Sequence, residues 1–176
     1  YVGRTDAEKH IWALVKAFDR ALKQVKAHLL IVGDGSDAEN LRALVAELGI
    51  GKSVTFAGRV PEEDLAPLHR VGTIFAIPSP MELQSIATLE AMAHRLPVVS
   101  TKVGYLEKLI GDSGGGMLVP PNESDALADA LIEMASSQVR SKFGSGGRNF
   151  AERLDWPKIA EELDKFYLRI IQGRIF

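Results

Sequence analysis

Short apolar runs of four or five residues, separated by longer stretches of helical period, constrain this chain more than any other feature. The runs are His28 to Val32, Val54 to Ala57, Thr73 to Ile77, Pro97 to Ser100 and Gly116 to Val119. Runs of this length bounded by turn residues read as strands buried on both faces, which is the pattern of a parallel sheet. Between Asp6 and about Lys26, apolar residues at Ile11, Leu14, Val15, Phe18, Leu22 and Val25 repeat with helical spacing, and Thr5 or Asp6 is suited to cap the start. Leu41, Leu44, Val45 and Leu48 mark a second helix that Gly49 ends. Pro61 suits the first turn of a short third helix, Gln84 to His94 a fourth, and a helical turn is expected near Glu107. Glu123 to Ala135, Val139 to Leu154 and Trp156 to Ile171 read as the last three helices. Strands alternating with helices specify an α/β fold, an open parallel sheet with helices on both faces and a ligand at the carboxyl ends of its strands. Gly144-Ser145-Gly146-Gly147 reads as a surface connection interrupting the helical pattern.

A chain of 176 residues, 46% of them hydrophobic, makes one domain spanning residues 1–176 with enough material for a core. A formal charge of -2 gives no electrostatic reason to expect nucleic acid or an anionic membrane as the main partner. The absence of cysteine excludes disulfides, thiolate metal sites and cysteine nucleophiles. The four histidines, His10, His28, His69 and His94, lack the close spacing of a metal site, so no metal or cofactor is expected. No apolar run reaches the roughly 18 residues needed to cross a bilayer, and the expected setting is cytoplasmic. Tyr1-Val2-Gly3-Arg4 reads like the end of a strand, so the chain is expected to belong to something longer.

The stretch from Ile77 to Ala93 is the natural centre of function. Pro78 and Pro80 deny helix to the residues before them, so the helix is expected to start near Leu83 or Gln84, with Glu82 just outside it. Eight helical steps from Glu82 to Glu90 would span roughly 12 Å and leave the two carboxylates roughly 80° apart. Such a pair would suit a ligand with hydroxyls at both ends and an anion in the middle, where a helix N-terminus meets the charge. The spacing alone decides nothing, because thirteen glutamates in 176 residues give about one such pair by chance, and Glu39 with Glu47 is another.

Other phosphate and catalytic patterns fail on inspection. Gly33-x-Gly35-x-x-Ala38 follows a strand as a dinucleotide fingerprint would, but the next strand ends Thr55-Phe56-Ala57-Gly58 without the acid that would hold a ribose. Gly51-Lys52-Ser53 lacks the upstream glycine of a phosphate loop and precedes a strand. There is no Gly-x-Ser-x-Gly elbow. Arg4 follows the first strand end and Lys9 lies in the first turn of the next helix, so both can converge on the ligand edge, where a diphosphate would need neutralising.

Taken in order, these pieces resemble the C-terminal donor-binding domain of retaining GT-B glycosyltransferases, specifically glycosyltransferase family 4 (glycosyl transferases group 1). The resemblance rests on Tyr1-Val2-Gly3-Arg4 with Glu8-Lys9, Ile31-Val32-Gly33-Asp34-Gly35, Val54 to Pro61, and Pro78-Ser79 leading to Glu82 and Glu90. It continues through Glu90-Ala91-Met92-Ala93, Pro97-Val98-Val99, Met117 to Pro121 and Asp125 to Ala128. It implies a Rossmann-like domain, one half of a GT-B fold, that binds a nucleotide diphosphate sugar, UDP- or GDP-linked. Full-length relatives transfer the sugar to an acceptor hydroxyl with retained anomeric configuration and no required metal. The acceptor-binding N-terminal domain would lie outside this chain, so the chain alone is expected to bind donor without transferring sugar.

The resemblance also implies roles. Glu82 resembles the first glutamate of the family's Glu-x7-Glu motif, which contacts the donor sugar, and Glu90 the second, which binds the ribose hydroxyls. Arg4 and Lys9 match the basic pair on the diphosphate, to which backbone amides of Ser85, Ile86 and Ala87 would add. Gly58, Arg59 and Val60 resemble the loop that holds the nucleobase. The chain departs from the family at Leu83-Gln84-Ser85, where members often read Gly-Phe-Gly, and at Gly104-Tyr105 and Lys108. That departure is the warrant for an alternative, a non-catalytic nucleotide-binding or regulatory module of the same fold. A sucrose- or trehalose-forming synthase or a phosphorylase shares the donor site and is a third reading. The broad apolar face of Trp156 to Ile171 reads as packing on its own domain, with crossing onto the absent domain as the alternative. Many relatives glycosylate lipids, which leaves room for peripheral membrane association of the full-length enzyme, although this last segment mixes both charge signs instead of presenting a basic face.

Overall fold

A computed structural model describes residues 1–173. Five short strands form in the expected places: β1 (Leu29–Val32), β2 (Val54–Gly58), β3 (Phe75–Ile77), β4 (Val98–Thr101) and β5 (Gly116–Val119). All pair in parallel, as β1 with β2 and as β3-β4-β5. The sheet is therefore in two parts, and Val2 extends the first through a parallel bridge to Val32.

The described residues form eight α-helices, of which the first seven surround the strands: α1 (Ile11–Leu22), α2 (Ala38–Glu47), α3 (Glu62–Val71), α4 (Ile86–Ala93), α5 (Gly104–Ser113), α6 (Ser124–Met134), α7 (Ser137–Ala151) and α8 (Trp156–Ile171). Side chains on successive strand residues point to opposite faces, and β3 and β4 divide accordingly between two cores. Ala76 and Val99 join Ile11, Leu14, Val15, Leu41 and Leu127 in the core beneath α1, α2 and α6. Phe75, Ile77 and Val98 join Met92, Leu106, Leu109 and Ile110 in the core beneath α4 and α5. Every residue of β4 is buried, as a central parallel strand requires.

Several boundaries differ from the sequence reading. Helix α1 begins at Ile11 and not at Asp6, because a short 3-10 turn, Ala7–Lys9, and the left-handed His10 (φ 49°) separate the two. The turn expected near Glu107 is a full ten-residue helix, α5. Gly144 to Gly147 is no surface connection; it lies within the continuous helix α7, with Gly144 and Gly147 buried. A Cβ at Gly146 would stand 2.6 Å from the Gly114 carbonyl oxygen, and one at Gly147 would stand 3.1 Å from Met92. These glycines let α7 approach α4 and the turn before β5, a contact that outweighs their entropic cost in a helix. Helix α8 does not pack on the domain: all its residues are exposed, including Trp156 at 81% and Ile171 at 80%. Its apolar face exists, but no described element covers it.

Candidate functional site

Parallel pairing brings the carboxyl ends of all the strands to one edge. The bridge from Val2 to Val32 delivers the loop after Val2, which carries Arg4 and Lys9, to that same edge. Three loops are laced together there by the backbone: Thr5 N–H donates to Asp34 O at 3.0 Å, Asp37 N–H to Thr5 O at 2.9 Å, and Gly33 N–H to Gly58 O at 2.7 Å. The glycine turn after β1 is filled by the chain itself. Gly33 sits at φ 124°, and a Cβ on Gly35 would stand 2.6 Å from the carbonyl carbon of Thr5. These glycines serve loop packing, which explains why their fingerprint lacks its acidic partner.

Lys9 and Glu82, 73 residues apart, meet across the edge. Lys9 Nζ lies 3.0 Å from Glu82 Oε2, with side chains only 20% and 14% exposed. Lys9 reaches that point from the 3-10 turn, not from the first turn of α1 as expected. Arg4 does not join them. Its guanidinium bonds Asp6 and, at 2.7 Å, Glu8, and it stays 64% exposed. The N–H and hydroxyl of Ser36 both donate to Asp6 and hold its carboxyl below the usual carboxylate range.

The segment between β3 and α4 is held from below. Buried Ser79 donates its hydroxyl to Met81 O at 2.7 Å, and the Thr101 hydroxyl donates to Ser79 O. Gly104 (φ 48°) opens α5 directly against the carbonyl of Glu82, where a side chain would collide. Helix α4 starts at Ile86, later than Leu83 or Gln84. Ser85 is its N-cap, with extended backbone, and its Oγ accepts from the Thr88 N–H at 3.2 Å and the Thr88 hydroxyl at 2.7 Å. The two-glutamate helical ruler therefore does not exist, since Glu82 lies in a loop and only Glu90 rides on the helix. Ile86 and Ala87 keep backbone N–H groups without intrahelical acceptors, at the positive end of the helix dipole. Leu83 and Ile86 project outward, 87% and 67% exposed, and Gln84 is exposed beside them. Gly58, at φ 65°, turns the chain out of β2 into exposed Arg59 and half-buried Val60.

Glu90 has a setting that the sequence did not disclose. Its carboxylate, 45% exposed, lies 3.9 Å from Nε2 of His69, whose side chain is 2% exposed. Burial, then the nearby Glu62, raises the Glu90 carboxyl above its ordinary value. Burial, then His94, lowers His69. Near neutral pH His69 is thus a neutral imidazole facing the Glu90 carboxyl. Only the tertiary fold brings α3 and α4 together here, so no local motif marks His69. Among the described residues, no group of three or more His, Asp or Glu is placed to hold a metal ion, and no helix is long and apolar enough to cross a membrane.

A loop cation against a carboxylate, a capped helix with free N–H groups and a second carboxylate one helical segment away can receive a polyhydroxylated anion. The profile of the family described as glycosyl transferases group 1 matches residues 1–137, a span that includes all of these groups. The chain belongs to that family. As a glycosyl transferases group 1 domain it is 32% identical over 176 residues to the D-inositol 3-phosphate glycosyltransferase of Corynebacterium jeikeium, covering 95% of this chain and 42% of that protein. Its fold matches sucrose-phosphate synthase from Thermosynechococcus elongatus with a TM-score of 0.86 and 30% identity, over 98% of this chain and 45% of that one. It matches Anabaena Alr3699/HepE, solved in complex with UDP-glucose, with a TM-score of 0.83 and 25% identity, over 94% of this chain and 47% of that one. The glycosyl transferases group 1 domain thus has an α/β fold shared with GT-B glycosyltransferases, and it spans less than half the length of these relatives.

Proposed function

We propose that this chain is the donor-binding half of a retaining family 4 glycosyltransferase, which moves a hexose from a UDP- or GDP-linked sugar to an acceptor hydroxyl. The observation that carries the reading is the 3.0 Å pair of Lys9 with Glu82 beside the N-terminus of α4. In the reaction, negative charge grows on the departing diphosphate. Lys9 and the N–H groups of Ile86 and Ala87 are fixed before that charge appears, so they stabilise it without reorganising. Arg4 adds a second positive charge from the exposed rim once it exchanges Glu8 for phosphate. Glu82, oriented by Lys9, accepts hydrogen bonds from sugar hydroxyls and positions the sugar; it is not the nucleophile. Glu90 accepts from the ribose hydroxyls, and the Gly58-Arg59-Val60 turn receives the base. UDP-glucose in the HepE structure supports a nucleotide sugar as the ligand class.

The acceptor is bound by a second domain in the full-length protein, which works in the cytoplasm and associates with membrane only peripherally where its acceptor is a lipid. Titration calorimetry with UDP, GDP, ADP and their sugar conjugates tests the donor site. Binding at micromolar to millimolar concentration is expected for one nucleotide series, and no binding to any of them at millimolar concentration would overturn the reading. Sugar transfer by this chain alone would overturn the division of labour. A second reading, a non-catalytic nucleotide-binding module, draws on the Leu83-Gln84-Ser85 segment, whose Leu83 and Gln84 are exposed; it predicts nucleotide binding without turnover in the full-length protein.

A further inference from the structure

His69 is buried to 3% exposure, and its Nε2 has no hydrogen-bond partner among the described residues. Buried donors are rarely left so, because an unpaired one costs its desolvation energy. The atom it faces is Glu90 Oε2, at 3.9 Å. His94, the residue that ends α4, stacks on the His69 ring with centroids 5.3 Å apart and planes 18° apart. His94 is itself fixed by Nδ1, which lies 2.8 Å from the Glu90 carbonyl oxygen. A carbonyl oxygen only accepts, so that Nδ1 carries the proton. Phe75 also lies near His69, tilted against it with centroids 6.0 Å apart. Glu90 thus holds His94 through its backbone, His94 packs His69, and His69 aims at the Glu90 carboxylate.

We propose that His69 is a positioning residue for Glu90, donating its buried Nε2–H to one carboxylate oxygen so that the other is presented to ligand hydroxyls. The proposal rests on the reading of Glu90 as the ribose-binding residue. A carboxylate has about four acceptor positions, so a bond from His69 leaves room for hydroxyls on the solvent side. At 3.9 Å the pair is longer than a hydrogen bond. A bound ribose fixes the Glu90 rotamer, and the short closing movement satisfies the buried donor in the same event. The charged and titratable groups around the ring agree with this arrangement. The burial of Glu90, then Glu62 on α3, raises the carboxyl, while burial, then His94, lowers the imidazole. Near pH 7 His69 is then neutral, with one N–H to give.

The test titrates UDP or GDP, whichever the wild-type chain binds, and the corresponding 2′,3′-dideoxynucleoside diphosphate, which lacks the ribose hydroxyls. His69→Phe is expected to weaken the ribonucleotide about tenfold, the loss of one charge-assisted hydrogen bond, and to leave the dideoxy affinity unchanged. His69→Gln, whose amide N–H can reach the same place, is expected to restore most of the loss. His69→Met replaces the Phe variant if that variant fails to melt cooperatively. Equal weakening of both nucleotides, or a ribonucleotide affinity unchanged by Phe and Met alike, would overturn the proposal. Failure of the underlying reading looks different: Glu90→Ala would then bind the ribonucleotide as well as wild type does.

Discussion

Two glutamates in one short stretch have opposite surroundings. Glu82 sits in a loop against Lys9, whose charge compensates its own at 3.0 Å, while Glu90 sits on a helix beside an uncharged buried ring and within the influence of Glu62. The first is oriented at rest by a charge from a distant part of the chain. The second has, among the described residues, no lysine or arginine paired with it and awaits one hydrogen bond that only a ligand-ordered geometry completes. The difference fits two tasks: holding a fixed orientation where chemistry happens, and gripping a neutral diol where binding happens.

Substitutions can break or sharpen that contrast. The largest effect is expected from Lys9→Ala in the full-length enzyme, which removes a preorganised charge and leaves Glu82 unpaired; steady-state kinetics should show kcat reduced by about 10²- to 10³-fold. Next comes Glu90→Ala, for which calorimetry should show nucleotide affinity weaker by about 1.5–3 kcal/mol, and an unchanged affinity would remove Glu90 from the site. Glu82→Gln should lower stability in denaturant melts by about 1–2 kcal/mol, since a half-buried Lys9 loses its counter-charge. Ser85→Ala should cost about 1 kcal/mol through the lost cap and loosen the start of α4.

The smallest effect carries the opposite sign. The folded-state pKa of Glu90 is raised, so whatever its protonated form contributes to stability is complete below the unfolded value and lost as pH rises through the folded one. Above that range the ionised form of this half-exposed carboxyl therefore subtracts from stability. Glu90→Gln should melt at or above the wild-type temperature at pH 7, by up to about 2 °C, and the gain should vanish in acid. A lower melting temperature at pH 7 would contradict the contrast between the two glutamates.

Much of this was legible in the chain. The five strands were visible because each is a short apolar run, and the run of Val98 and Val99 into Ser100 is buried on both faces as such a run must be. The arrival of Lys9 at the ligand edge was legible from its place after a strand end, but its ion pair with Glu82 was not. Other features were hidden because tertiary contacts decide them. Gly144 and Gly147 look like part of a surface connection until Arg95 and Met92 are seen to occupy the space where their side chains would be. Ser85 looks like one residue of a helix until its hydroxyl is found capping it, which shortens α4 and dissolves the apparent two-carboxylate ruler. His69 carries no local signal at all, since its meaning comes from a neighbour 21 positions away on another helix. The face of α8 was readable as apolar, but amphipathicity does not say which surface will cover it.

The span between Lys9 and Glu82 has a thermodynamic consequence. A ligand seated on both residues joins chain segments that separate when the domain unfolds, so it binds the folded state and not the open chain. Ligand at a hundred times its dissociation constant would then add about 2.7 kcal/mol to the unfolding free energy. The melting temperature of the whole domain thereby becomes a meter for occupancy of its edge, and a screen of nucleotides by thermal shift would read the site without any knowledge of the acceptor.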